Sequence, residues 1–152
     1  MSGLSARLAA IVDALPLVPG MRVLEIGGAP GAAAKAVARR IGGTGGKTGG
    51  HVLMIDRSAN GIALTRQNAS AEIEAGILSI RQVAAEEFHL LPGERPFDLA
   101  FAVRVGALDG RHPRAGQVAL RRIADALTPA GRLFIDGGDP LRELQLPPRD
   151  GS

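Results

Sequence analysis

Short apolar runs alternate along this chain with longer stretches of helical spacing, the pattern of a parallel α/β sheet. Leu4, Leu8, Ile11, Val12 and Leu15 recur at helical intervals, and Pro16 and Pro19 stop that helix. A first strand is predicted over Arg22–Ile26. The turn Gly27-Gly-Ala-Pro-Gly31 follows, and then a helix over Ala32–Ile41 with Ala33, Val37 and Ile41 on its inner face. The segment Gly42–Gly50 holds six glycines and reads as a flexible loop. His51–Ile55 is a second strand ending at Asp56. A helix capped by Ser58 is expected to run to about Ala75, where Gly76 stops it. Strands are predicted over Ile77–Val83 and Phe97–Val103, a helix over Ala115–Leu127, and a fifth strand over Arg132–Ile135.

The chain's 152 residues make one domain, assigned to residues 1–144, with a flexible tail over 145–152. Cysteine is absent, so disulfides, thiolate nucleophiles and Cys-ligated metals have no donors here. A reducing, cytoplasmic compartment is expected. No apolar run is of membrane-spanning length, and no membrane association is expected. The net charge is only +3, and with four Phe, no Tyr and no Trp there is little for nucleic-acid bases to stack on. A nucleic-acid partner is therefore not expected. His51, His89 and His112 show no ligand spacing, and no metal site is predicted. Gly46-Lys47-Thr48 superficially suggests a phosphate loop, but Ile41 stands where the earlier glycine is required and the strand and helix come in the wrong order.

Glu25 and Asp56 are the informative pair, each near the C-terminal end of a predicted parallel strand. Ligands of open α/β sheets bind outside that edge, where the strand order reverses. Glycines after the first strand let a ligand approach the backbone, and the following helix offers unpaired N–H groups. A carboxylate closing the second strand suits a ribose diol, since an ionised acid accepts two hydroxyl hydrogen bonds. A second acid, Glu25, disfavours a pyrophosphate and favours a ribonucleoside that carries positive charge.

These residues resemble a known family. Val23-Leu-Glu-Ile-Gly-Gly-Ala-Pro-Gly31 is similar to the first motif of class I S-adenosylmethionine-dependent methyltransferases, an acid followed by Gly-x-Gly-x-Gly. His51-Val-Leu-Met-Ile-Asp56 resembles their second motif, Pro96-Phe-Asp-Leu-Ala-Phe101 the fourth-strand motif, and Leu127-Thr-Pro-Ala-Gly-Arg-Leu-Phe134 the approach to strand five. The resemblance covers about Leu4 to Asp136, in order. It implies a Rossmann-like, mostly parallel sheet of about five strands, order 3-2-1-4-5, with helices on both faces.

It also implies S-adenosyl-L-methionine as cofactor and methyl transfer as activity. Gly27, Gly28 and Gly31 would line the methionine end, and Glu25 would sit near its amino group. Asp56 would hold the ribose hydroxyls, with Arg57 beside the adenine and Ala85 and Glu86 at its edge. Val103 and Arg104 would floor the reactive methyl. The sequence names no catalytic base, and the acceptor is left open, a small molecule being favoured. Arg104, Asp109, Arg111 and His112 stand where substrate groups often sit.

The chain departs from the family pattern at three places. Ala29 replaces the middle glycine, where its methyl would crowd the cofactor. Ala84 stands where many relatives carry Asp. No sixth or seventh strand is predicted after strand five, so its edge is expected to be bare, covered by the tail or paired in a homodimer. Two alternatives follow: a non-catalytic S-adenosylmethionine-binding or interaction domain of methyltransferase type, and an NAD-linked oxidoreductase. The second matches poorly, because its glycine pattern would have to be Gly27-x-Ala29-x-x-Ala32 and the chain has no Tyr.

Overall fold

A computed structural model describes residues 4–43 and 47–148. The order of elements is α1 (Ala6–Ala14), β1 (Arg22–Ile26), α2 (Ala32–Gly42), β2 (His51–Asp56), α3 (Ala59–Asn68), α4 (Ser70–Glu74), β3 (Leu78–Gln82), β4 (Phe97–Ala102), α5 (Pro113–Ala126), β5 (Leu127–Asp136) and β6 (Leu141–Leu144). One 3-10 turn, Ala85–Glu87, follows β3.

The strands form one sheet of order β3-β2-β1-β4-β5-β6. The first five run parallel, in the order expected. Strand order reverses between β1 and β4, so the crevice outside their C-terminal ends is the topological switch point of the sheet.

Alternation along β1 divides the core. Val23 joins Val52, Met54, Leu99 and Phe101 under α1 and α2, with Ile62 of α3 at the same face. Leu24 and Ile26 face the other way, toward Ala119 and Ile123 of α5 and Phe88 after the 3-10 turn. Helices therefore cover both faces, as the apolar runs of doubly buried parallel strands require. All four phenylalanines, Phe88, Phe97, Phe101 and Phe134, are buried.

Two expectations are corrected. The helix drawn from Ser58 to Ala75 is two helices. Ser58 does cap the first, its Oγ accepting from Gly61 N. The chain then leaves helical geometry at Ala69 (φ −112°, ψ 22°). Asn68 beside the break donates from Nδ2 to the Pro30 carbonyl, a contact that ties α3 to the glycine turn. The strand-five edge is also not bare. β6 pairs antiparallel with it from Leu133↔Leu144 to Asp136↔Leu141. Pairing of two copies along this side of the sheet would therefore run through β6.

The last residues before the limit of description, Gln145–Pro148, run beside Pro129 and Gly131, where β5 slips register against β4. The predicted tail beyond Pro148 lies outside the described residues. So do residues 44–46 of the glycine-rich loop, with Gly46 of the phosphate-loop look-alike. Its flanks are pinned: Thr48 N donates to the Gly42 carbonyl, and Thr48 Oγ1 to that of Ile41.

Candidate functional site

β1 ends at Ile26, and the chain turns through five residues before α2 begins. Gly27 takes φ +69° and Gly31 φ +99°, left-handed conformations that glycine adopts without steric cost. Gly27 N donates to the Ile55 carbonyl across the sheet at 2.7 Å. A Cβ at Gly27 would lie 2.9 Å from Val105 Cγ2, so the turn passes closely under the segment after β4. A Cβ at Gly31 would meet Thr65 Cγ2 at 2.8 Å. Gly31 thus caps α2 and packs on α3.

Glu25 lies beneath this turn. Its side chain points to the α1–α2 face of the sheet and is only 2% exposed. A Cβ at Gly28 would sit 2.3 Å from Glu25 Cδ, so the absence of a side chain at Gly28 is what leaves room for the carboxyl. Burial pushes the carboxyl well above the ordinary 4.5, and the nearby Asp56 charge pushes it the same way. Its Oε1 is buried without a hydrogen-bond partner. Read from sequence, Glu25 is a negative charge beside a loop. In the fold it is an enclosed acid that holds its proton above the usual carboxylate range, with one oxygen unsatisfied.

Asp56 closes β2 and organises the turn from the other side. Its Oδ2 accepts from Ala29 N at 3.1 Å and its Oδ1 from Ser58 N at 2.9 Å. The carboxylate thereby joins the glycine turn to the start of α3 and remains partly exposed.

Two cavities open along the C-terminal edge of the sheet. One, of about 490 Å³, is bordered by Asp56 and Arg57, by Val83–Glu86 and by Val105–Ala107. The other, of about 420 Å³, is bordered by Glu25, Gly28–Pro30, Val103 and the start of α1 at Ser5, Arg7 and Leu8. Both are bordered by Gly27 and Arg104, which therefore stand between them.

Of the residues singled out from sequence, Asp56, Arg57, Ala85 and Glu86 border the first cavity. Glu25, Gly28 and Val103 border the second, and Gly27 and Arg104 border both. Gly31 borders neither. Ala84, at the position of departure, borders the first. Ala29, the other departure, borders the second, and its Cβ lies 2.7 Å from where a Cβ on Gly61 of α3 would be.

Sequence reasoning missed Asp136. It closes β5, pairs with Arg7 of α1 at 2.7 Å, and accepts from Arg104 N at 3.0 Å. Arg104 is the one described non-glycine residue at positive φ (59°), and this hydrogen bond secures it there. The signal was available: Asp136 ends a parallel strand as Asp56 does.

No protein-family model matches the sequence, and no curated protein matches it. Solved structures resemble the fold. The YcgJ protein of Bacillus subtilis superposes with a TM-score of 0.64 at 18% identity, over 85% of this chain and 49% of that one. The CcbJ methyltransferase of Streptomyces caelestis gives 0.63 at 22%, over 85% and 47%. A SAM-dependent methyltransferase of Thiobacillus denitrificans, solved with S-adenosyl-L-homocysteine, gives 0.63 at 23%, over 85% and 46%. The chain has the fold of class I S-adenosylmethionine-dependent methyltransferases. It spans a little under half the length of these three structures.

Proposed function

We propose that the chain binds S-adenosyl-L-methionine across its two neighbouring cavities and transfers the methyl group to a small-molecule acceptor. The observation that carries this is the pairing of two carboxyl groups with two neighbouring cavities at the switch point. Asp56 borders one, Glu25 the other, and Gly27 and Arg104 stand between them. An elongated ligand with a diol at one end and a cationic group toward the other matches that arrangement.

In this reading Asp56 accepts the ribose hydroxyls, with Arg57, Ala85 and Glu86 around the adenine. Gly27 and Gly28 admit the methionine portion. Glu25, which borders the second cavity, stands at the ammonium end, where a bound cation would favour its ionised form. The cofactor's sulfonium makes its methyl electrophilic. The protein's contribution is then to hold an acceptor in line near Val103 and Arg104, where proximity and orientation supply most of the acceleration. The burial of every Phe, with no Tyr or Trp in the chain, leaves little for nucleic-acid bases to stack on, which favours a small acceptor. The reading sets the protein in the cytoplasm.

A second reading is a binding domain that does not transfer methyl groups. It is favoured by Ala29, which stands in place of the middle glycine of the first motif. Release of labelled methyl from the cofactor in the presence of acceptors separates the two.

Calorimetric titration tests the shared premise. S-adenosylmethionine and S-adenosylhomocysteine should bind saturably, and NAD should give no saturable heat. Asp56→Ala removes two charge-assisted hydrogen bonds to the diol, each about 1.5 kcal/mol or more, so affinity should fall about 100-fold or further. Equal affinity in a variant with wild-type circular dichroism would overturn the assignment.

A further inference from the structure

A third depression, open and of about 660 Å³, lies between the segment after β4 and the β5–β6 turn. It is bordered by Arg104, Asp109, Arg111, Asp136, Gly137 and Arg142. Its charges do not cancel. Asp109 is paired with Arg111 at 2.8 Å. Asp136 is paired with Arg7 and also takes the Arg104 amide. Both carboxylates are thus engaged, while the guanidinium groups of Arg104 and Arg142 have no ion pair among the described residues. Two unpaired cations therefore face one concave surface.

The placement of these cations is built into the fold. Arg104 sits in the left-handed region, which a side-chain-bearing residue rarely adopts, and Asp136 secures it there. Arg142 is carried by β6, opposite Ile135, with its Nε 3.6 Å from where a Cβ on Gly137 would be. Arg104 borders all three cavities. The third depression therefore opens beside the junction at which the proposed cofactor's two halves would meet.

Planar guanidinium groups recognise oxyanions through paired, charge-assisted hydrogen bonds. We propose that this depression binds the oxyanion of the methyl acceptor, a carboxylate or phosphate ester carried by a small molecule, with Arg104 and Arg142 as its partners. The acceptor role rests on the cofactor reading given above; the oxyanion site does not. The β6 strand thereby acquires a function beyond covering β5, because it delivers one of the two cations.

The test is an amide-shift titration of the ¹⁵N-labelled chain with inorganic phosphate and, separately, with acetate. Ionic strength is held constant with sodium chloride, and each titration is run with and without S-adenosylhomocysteine. Phosphate or acetate should shift the amides of Arg104, Gly137 and Arg142 saturably, and the stronger probe names the acceptor's anion. Arg142→Gln and Arg104→Gln should each weaken binding about tenfold, and Arg66→Gln on the far surface of α3 should not. Arg142 borders neither cofactor cavity, so homocysteine-nucleoside binding by Arg142→Gln reports that the variant is folded. Absence of saturable shifts, or unchanged anion binding by Arg142→Gln, overturns the oxyanion site. Mutual exclusion of anion and nucleoside overturns the acceptor role. Failure of the nucleoside itself to bind overturns the cofactor reading, and is seen independently of the anion result.

Discussion

Gly28→Ala places a methyl group where the structure has none to spare. The new Cβ would lie 2.3 Å from Glu25 Cδ and 2.6 Å from each carboxyl oxygen. Carbon atoms in comfortable contact are about 3.5–4.0 Å apart, so one group must move by about 1.2 Å or more. Glu25 is only 2% exposed, but its carboxyl is the far end of a flexible side chain and borders the second cavity, so it has somewhere to move. Forced overpacking of this kind costs about 1–3 kcal/mol, and a carboxyl free to swing toward the cavity places this case at about 1–2. For a domain of this size each kcal/mol lowers Tm by about 2–4 °C, giving a loss of about 2–8 °C.

Thermal unfolding followed by circular dichroism reads that loss. A second variant identifies its cause. Adding Glu25→Ala to Gly28→Ala removes the clashing atoms and should restore most of the lost stability. Adding Glu25→Gln keeps their volume and should not. If Gly28→Ala melts like the wild type, or if glutamine rescues as well as alanine, the steric account is wrong. Such coupling between neighbouring positions is what a double-mutant cycle measures.

Two further outcomes follow from the same coordinates. The folded Glu25 carboxyl holds its proton above the ordinary 4.5 because it is buried and faces Asp56. Between 4.5 and that raised value the folded state binds more protons than the unfolded, so wild-type stability falls with rising pH relative to Glu25→Gln. Urea midpoints from pH 4 to 8 should show the gap moving steadily in favour of the glutamine variant; a gap independent of pH contradicts the burial argument. Ending the chain after Pro140 removes β6 and leaves the paired stretch Leu133–Asp136 as an open edge. Such edges recruit other strands, so light scattering should show a rise in mass with concentration that the full chain lacks; identical behaviour of the two would count against this role of β6.

Five strands, their order and both helical faces were legible because buried parallel strands announce themselves as apolar runs and the family motifs supply the order. β6 was not. Its four residues, Leu-Arg-Glu-Leu, place two charges on an exposed edge and follow Pro140, so neither hydrophobicity nor alternation marks it. The break at Ala69 was also hidden, since apolar spacing continues through it; only Asn68 and Ser70, residues that compete with helical hydrogen bonding, flank the place.

At the site, the strand ends and glycines were read directly from the chain. The state of Glu25 was not, because it depends on the turn after β1 passing over the side chain at Gly28, which has no Cβ. The Arg7–Asp136 pair spans 129 residues of sequence and is visible only in the fold.

The central claim is that the two cavities on either side of Gly27 and Arg104 hold one ligand. Amide-shift titration with S-adenosylhomocysteine, adenosine and methionine tests it most directly. The whole nucleoside should shift Asp56, Ala85 and Glu86 together with Gly28 and Val103, all fitting one dissociation constant. Adenosine should shift only the first group, and methionine only the second. Shifts confined to one cavity by the whole ligand, or separate dissociation constants for the two groups, would contradict the account.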